Sequence, residues 1–300
     1  MLDPKLTTLL KVYETGSFTR AAEQLSLTQP AVSQHVRQLE NELKVKLFNR
    51  GEGQLRPTRE GEIVIKYAKR MCSLYQNMLQ NIADEKKQLT KLTIGITHTA
   101  ESSAIAEVLA TYGSEKEDVS ITMLSDSINN LYERVKNYEV DLAVVEGKVT
   151  CAGLRSVLLD TDCLVLAVSN SNPLAKKNIV TLEELKRERM ILRLPSSGTR
   201  NLFVAHLESQ NMSIDEFNII LEVDNIATIK DLIRRDFGVS ILAKSACMDE
   251  WKKKKITVLP IENLSMIREI NLVYDPDFDH REVLQDIIKI YNERVRLYQV

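Results

Sequence analysis

The sequence has only four cysteines, Cys72, Cys151, Cys163 and Cys247, scattered and without a C-x-x-C pair. That excludes a disulfide framework and points to a reducing compartment, so a cytoplasmic protein is expected. No apolar run approaches the length of a membrane span, and the N-terminus lacks an apolar signal segment, so no membrane partner is expected. Absent too are G-x-S-x-G, G-x-x-x-x-G-K and G-x-G-x-x-G, and His35, His98, His206 and His280 show no metal-ligand spacing. An enzyme is therefore not expected, nor any cofactor or metal. The net charge of −2 argues against a nucleic-acid binder until its distribution is read. Residues 1–70 carry 12 Lys/Arg against 8 Asp/Glu, leaving 28 against 34 for the rest. A modestly basic head sits on an acidic body.

What is present centres on residues 17–44, SFTRAAEQLSLTQPAVSQHVRQLENELK. This stretch predicts two helices joined by a tight turn, with Ala21 and Ala22 small enough for a close crossing. The second helix opens at Thr28, whose hydroxyl can cap free backbone N–H groups, and Pro30 is tolerated in the first turn. Val32, Val36, Leu39 and Leu43 form one buried stripe at helical spacing. Pro30, Ser33, Gln34, Arg37 and Asn41 fall on or beside the opposite face, where Gln, Arg and Ser suit base edges. An ordinary amphipathic helix with a solvated face has the same periodicity. Residues 47–57, LFNRGEGQLRP, follow at once as two short strands around a Gly-rich turn. That is a wing placing Arg50 and Arg56 along phosphates. A helix over 5–14, with Leu6, Leu9, Leu10 and Tyr13 inward, completes the head; Gly16 ends it and Ser17 caps the next.

The run GSFTRAAEQLSLTQPAVSQHVRQLENELKVKLFNR…RPTREG resembles the N-terminal domain of LysR-type transcriptional regulators over about the first 60 residues. Thr28, Gln29, Pro30, Ser33, Gln34, Arg37, Arg50 and Arg56 are then the expected DNA contacts. Thr58 caps a long helix to about residue 87, with Ile63, Tyr67, Met71, Leu74, Met78 and Ile82 at spacings of four and three. So narrow a stripe on roughly seven turns is a coiled-coil-like seam, which a second chain should cover, unless the helix packs on its own body. A dimer suits two recognition helices reading an imperfect palindrome in double-stranded DNA, and the family resemblance implies that tetramers are common. Residues 83–91 are the expected linker.

Beyond it the pattern alternates between strands and helices, as in α/β sheets. Strands are expected at 92–96, 119–124, 141–145, 154–159, 163–168, 190–193, 219–223, 239–242, 256–259 and 269–274. Helices are expected at 102–112, 128–137, 182–189, 200–209, 226–235 and 280–297, and the lysines of 252–255 as a solvated helix end. DLAVVEG (141–147) and FGVSIL (237–242) look like recurring segments of the same family, extending the resemblance to nearly the whole chain. It implies an effector domain similar to periplasmic solute-binding proteins, crossing over near 160–162 and returning near 266–270. The expected fold is α/β: a winged helix-turn-helix over 1–58, a dimerisation helix and hinge over 59–90, and a two-subdomain effector domain over 91–300. Subdomain I takes 91–161 and 269–300, subdomain II 162–268.

In such sheets ligands sit beyond the carboxyl ends of strands, at helix N-termini. Two loops stand there: Thr97, His98, Thr99 and Ser102 after one strand, and Ser196, Ser197, Thr199 and Arg200 in the PSSGTR segment after another. Facing one another they would hold a small carboxylate or other oxyanion, with Glu146, Asp224 and Asn225 lining the sides and Glu146 taking an amine or hydroxyl. PSSGTR resembles the ligand loop of many family members. Plain helix capping is the alternative for each loop, and Arg200 could instead pair with Glu208. Three functions follow: an effector-responsive regulator, an enzyme in the α/β body, or a ligand-independent DNA-binding protein whose body only assembles oligomers.

Overall fold

The computed structural model describes residues 2–49, 55–85, 90–100, 104–278 and 280–299. Its contacts divide the chain into two compact units, Met1–Thr90 with Lys136–Glu139, and Lys91–Val135 with Val140–Val300.

In the first unit three helices, α1 (Pro4–Thr15), α2 (Phe18–Leu25) and α3 (Gln29–Leu43), pack around Leu9, Val12, Ala21, Ala22, Val32, Val36 and Leu39. The punctuation is local chemistry. Gly16 takes the left-handed conformation at the end of α1, and the Ser17 and Thr28 hydroxyls accept from the Arg20 and Ala31 amides to cap α2 and α3. Two residues depart from the expected stripes: Tyr13 and Leu43 are exposed. Leu43 is the last residue of α3, beyond the crossing of the three helices, where Lys44 turns the chain with a positive φ. Tyr13 lies on the outer edge of α1, with the Lys69 ammonium over its ring. Its inward place is taken by Thr8 and Val12, both buried.

The wing strands β1 (Phe48–Asn49) and β2 (Arg56–Pro57) are antiparallel, with Asn49 opposite Arg56. The Gly-rich turn between them, with Arg50, lies outside the described residues. Glu40 ties this segment to α3: it is buried, and its carboxylate accepts from the Leu47 amide and the Lys46 ammonium, each at 3.0 Å. Helix α4 (Arg59–Glu85) begins with the Thr58 hydroxyl accepting from the Gly61 amide at 2.9 Å. It still runs at 83–85, and a strand begins at Thr90, so the expected linker over 83–91 is largely regular structure. Only Ile65 and Ala68 of α4 enter the head core fully, whereas Ile63, Tyr67, Met71, Leu74, Met78 and Ile82 are 43–58% exposed.

The second unit is α/β with two cores. The sheet of the first lobe has the order β6–β11–β5–β3–β4, from β3 (Thr90–Ile96), β4 (Val119–Ser125), β5 (Leu142–Glu146), β6 (Arg155–Val168) and β11 (Ile267–Tyr274). Helices α5 (Ile105–Glu115) and α11 (Arg281–Gln299) cover one side through Ile105, Val108, Ile287 and Tyr291, and α6 (Ile128–Lys136) packs Leu131 and Val135 in a separate cluster. In the second lobe β6 continues between β10 (Thr257–Leu259) and β9 (Ser240–Ala243). Beyond β9 lie β7 (Met190–Leu192) and β8 (Ile219–Glu222), parallel to one another and joined to β9 through a Met190–Val239 bridge. Helices α7 (Leu182–Leu185), α8 (Gly198–Ser209), α9 (Ile226–Arg234) and α10 (Lys244–Lys252) surround this lobe around Leu166, Phe203, Leu207 and Ile241.

Four expectations change. The strands expected at 154–159 and 163–168 are one strand, β6, because the polar Asp160, Thr161 and Asp162 that suggest a break pair in register with Ile270, Glu269 and Arg268 of β11. These two strands carry the chain between the lobes. The helix expected at 182–189 is only α7, with its Thr181–Glu184 capping box. The helix expected from residue 102 is described from Ile105, and the lysine-rich end at 252–255 is the close of α10, whose body sequence reading did not place. Among the described residues no helix is long and apolar enough to cross a membrane.

The tightest backbone approach in the head is at Gly61, where an added Cβ would overlap the Leu47 carbonyl oxygen. Gly61→Ala is expected to lower the stability of the full chain by about 1–3 kcal/mol, measured as a shift in urea midpoint at unchanged slope.

Candidate functional site

The outer face of α3 is built to be read from solution. Thr28, Gln29, Pro30, Gln34 and Arg37 are exposed and Ser33 is half-buried, while Val32 and Val36 hold the opposite face in the core. The Gln29 side-chain amide donates to the Ser33 hydroxyl at 2.9 Å, fixing two of the reading groups relative to each other. A surface hollow between this helix and β1 is lined by Arg37, Glu40, Asn41, Lys46, Phe48 and Asn49, and Arg56 stands exposed on β2. One helix face and one wing strand thus present polar and cationic side chains from the head, and the Glu40 anchor fixes their spacing. Arg50 lies outside the described residues.

In the second unit the carboxyl ends of β3 and β7 carry the two hydroxyl-rich loops. Thr97, Thr99, Ser197 and Thr199 are all buried, an unusual state for four hydroxyl side chains. The Thr97 hydroxyl faces both carboxylate oxygens of Glu146 at 2.7 Å and accepts from the Ala100 amide at 3.2 Å. His98 is half-buried, Ser196 is exposed, and Ser102 lies outside the described residues. Ser197 stands at the N-cap position of α8 but its hydroxyl makes no capping bond, so plain capping does not account for it. Where an added Cβ on Gly198 would sit, Ile128 of the first lobe is 3.7 Å away, so the start of α8 faces the other lobe directly.

The polar side walls have partners of their own. Glu146 is held by Thr97. Arg200 pairs with Glu222 rather than Glu208, and also donates to the Arg193 carbonyl at 3.2 Å. Asp224 accepts from Arg193 at 3.1 Å, and Asn225 caps α9 by accepting from the Thr228 amide at 3.0 Å. Arg200, Asp224 and Asn225 therefore hold the edge of the second lobe together, a structural task that sequence position alone did not distinguish from ligand contact.

Sequence reasoning missed two arginines. Arg193, at the end of β7, is 3% exposed, and its Nε and Nη1 have no hydrogen-bond partner among the described residues. Arg268, on the crossover strand β11, is 8% exposed; its Nη1 donates to the Thr199 hydroxyl at 3.3 Å, and its Nη2 lies 3.6 Å from Asp162. The available signal was a charge set among apolar neighbours inside each strand, in MILRL and MIREINL. Among the described residues no His, Cys, Asp and Glu group could hold a metal ion.

The chain matches two family models, a bacterial regulatory helix-turn-helix protein of the lysR family over residues 4–62 and a LysR substrate binding domain over residues 87–296. It belongs to the LysR family of transcriptional regulators. The first-mentioned unit is its DNA-binding helix-turn-helix and the second its substrate-binding domain. Among its relatives, a "Probable RuBisCO transcriptional regulator" of Thalassiosira pseudonana is 28% identical over 284 residues, covering 92% of this chain and 91% of the relative. The "HTH-type transcriptional regulator CysL" of Bacillus subtilis is 26% identical over 272 residues, 90% of each. Among solved structures, full-length CbnR in complex with its target DNA has a TM-score of 0.69 at 16% identity, covering 98% of this chain and 99% of that one. Full-length BenM has a TM-score of 0.58 at 21% identity over 98% of each chain. The matched families and relatives are regulators, not enzymes.

The cysteines of this LysR-type chain are free. Burial pushes the Cys247 thiol up to about 12, and raises Cys72 and Cys163 as well, Cys163 with help from the neighbouring Asp162 carboxylate. The thiolate is the reactive form, so iodoacetamide at neutral pH is expected to leave Cys247 unmodified in the native protein and to label it only after denaturation, as read by peptide mass spectrometry. Rapid labelling of native Cys247 would contradict the burial that raises it.

Proposed function

We propose that this LysR-type regulator works in the cytoplasm as a homo-oligomer, a dimer or a pair of dimers, binding an imperfect palindrome and answering to a small anionic effector held between the two lobes of its substrate-binding domain. The division of labour follows sequence: 1–58 reads DNA, 59–90 pairs chains, and 91–300 senses, with 91–161 and 269–300 in one lobe and 162–268 in the other. DNA contacts are assigned to Thr28, Gln29, Pro30, Ser33, Gln34, Arg37, Arg50 and Arg56. Effector contacts are assigned first to Thr97, His98, Thr99, Ser102, Ser196, Ser197 and Thr199. Glu146, Arg200, Asp224 and Asn225 frame them. The observation that carries the effector reading is the four buried hydroxyls at the ends of β3 and β7, one of them, Ser197, at a helix start without capping it.

The oligomer reading rests on the exposed stripe of α4. Two such stripes facing one another bury the apolar side chains that a lone chain leaves in water. Effector binding would then change the angle between paired bodies and re-space the heads along DNA, provided the ligand favours one arrangement over the other. The kinship with a regulator whose structure contains its target DNA supports the same use of the head here.

Three measurements check this. Arg37→Ala is expected to relax sequence preference by about 1–3 kcal/mol for a lost bidentate base contact, while Arg56→Ala weakens specific and random DNA alike and flattens the salt dependence. Equal behaviour of the two variants would contradict the assignment. Leu74→Glu together with Met71→Glu is expected to turn the full-length protein into a monomer in sedimentation, and an unchanged mass would remove α4 as the pairing surface. For the effector, Thr99→Ala and Ser197→Ala should each weaken any small carboxylate or oxyanion found to bind the full chain; unchanged affinity would misplace the site.

A further inference from the structure

Arg268 sits where β6 and β11 cross between the lobes, in register with Asp162. A guanidinium carries five N–H donors and cannot be neutralised in a protein. Here only Nη1 is hydrogen-bonded, to the Thr199 hydroxyl; Nε and Nη2 have no hydrogen-bond partner among the described residues, although the side chain is buried. Asp162 is the nearest countercharge, at 3.6 Å from Nη2, but its oxygens already accept from the Cys163 amide at 2.8 Å and from the Ser245 amide and hydroxyl at 3.2 and 2.7 Å. Asp162 therefore balances the charge without satisfying the donors.

The two open nitrogens are not random members of the group. Nε–H and one Nη2–H point the same way and form the side-on edge of the guanidinium, the fork that matches two oxygens of one oxyanion. Thr199, which holds the other side of Arg268, is the second residue of the twelve-residue helix α8. The first turn of α8 offers free amides and the positive end of the helix dipole. Ser197 adds a buried hydroxyl that caps nothing, and Ile128 from the first lobe stands opposite. A buried cation with two parallel donors, beside a helix start and an idle hydroxyl, is a donor set shaped for an anion.

We propose that Arg268, with Ser197, Thr199 and the first turn of α8, is the oxyanion subsite of the effector-binding region, taking one end of a small carboxylate, phosphate or sulfate side-on through Nε and Nη2. The proposal rests on reading the junction of the lobes as the effector site, and adds the residue that selects for negative charge. It also supplies a coupling. The open nitrogens are covered by protein in this arrangement, so the anion enters as the lobes part and completes the bonds as they close. Closure without an anion leaves a buried cation under-bonded, and closure with one does not. The ligand thereby favours the closed form, the differential interaction that any ligand-driven switch needs.

The test is thermal unfolding of the full-length protein in succinate, inorganic phosphate or sulfate at millimolar concentration, with ionic strength held constant by chloride. At least one of the three is expected to raise the wild-type melting temperature by about 2–4 °C, and which one does so identifies the oxyanion class. Arg268→Met should abolish that rise while leaving the melting temperature in chloride unchanged or higher. A full rise retained in Arg268→Met places the anion elsewhere and overturns the role of Arg268, leaving the effector reading itself standing. No rise in wild type with any of the three overturns the oxyanion subsite. Should Arg268→Met fail to fold, Thr199→Val, which frees Nη1 from its hydroxyl, is expected to raise the half-saturating concentration of the active anion by about threefold to tenfold; an unchanged concentration overturns the proposal.

Discussion

Six large apolar side chains stand along one edge of α4 with about half their surface in water, at positions 63, 67, 71, 74, 78 and 82. Hydrophobic surface of that extent and regularity is the constraint on which the proposed assembly turns. The stripe is too narrow to be a core and too regular to be scattered surface Leu and Met. The head is anchored to the same helix. Ile65 and Ala68 enter the three-helix core, and Gly61 lets the backbone of α4 lie against the Leu47 carbonyl. A helix that is core at one end and seam along its length passes the geometry of a pair of chains directly to the DNA-reading surface.

The reading surface is in turn held by a small number of polar links. Glu40 accepts from the Leu47 amide and the Lys46 ammonium, so the wing strand cannot drift from α3 without leaving a buried carboxylate unpartnered. Arg37 and Arg56 therefore sit on separate elements of one rigid module, one on the helix face suited to bases and the other on a strand suited to phosphates. In the sensing domain the corresponding device is the pair of long strands β6 and β11. They run between the lobes, shift register between Ile270 and Asn271, and carry Asp162 and Arg268 as facing partners at the crossover. Polar groups placed on the strands that join the lobes are positioned to respond to lobe movement.

Much of this was legible in the sequence because it rests on short-range chemistry. Thr28 and Ser17 cap as their positions predict, Gly16 ends α1, and the 3.6-residue period of Val32, Val36 and Leu39 marks the inner face of α3. The period fails at its edges. Leu43 and Tyr13 have the right spacing and lie exposed, because a helix can extend past the partners that would cover it. Asp160, Thr161 and Asp162 read as a strand break because three polar residues in a row favour a turn, yet tertiary pairing with β11 overrides that preference. Arg200, Asp224 and Asn225 have the composition of ligand contacts but are taken by Glu222, Arg193 and Thr228. Arg193 and Arg268 were invisible for the opposite reason: a buried charge inside an apolar strand shows its surroundings only when the fold is built.

The most direct test of the central claim, that paired α4 helices deliver two α3 reading faces to one operator, is hydroxyl-radical footprinting of the full-length protein on a bound genomic fragment. The expected result is two protected patches related by a two-fold axis, with major-groove centres about one helical turn, roughly 10–10.5 base pairs, or a whole multiple of it apart. A single protected patch without two-fold symmetry, from a protein that sediments as one chain, would contradict it.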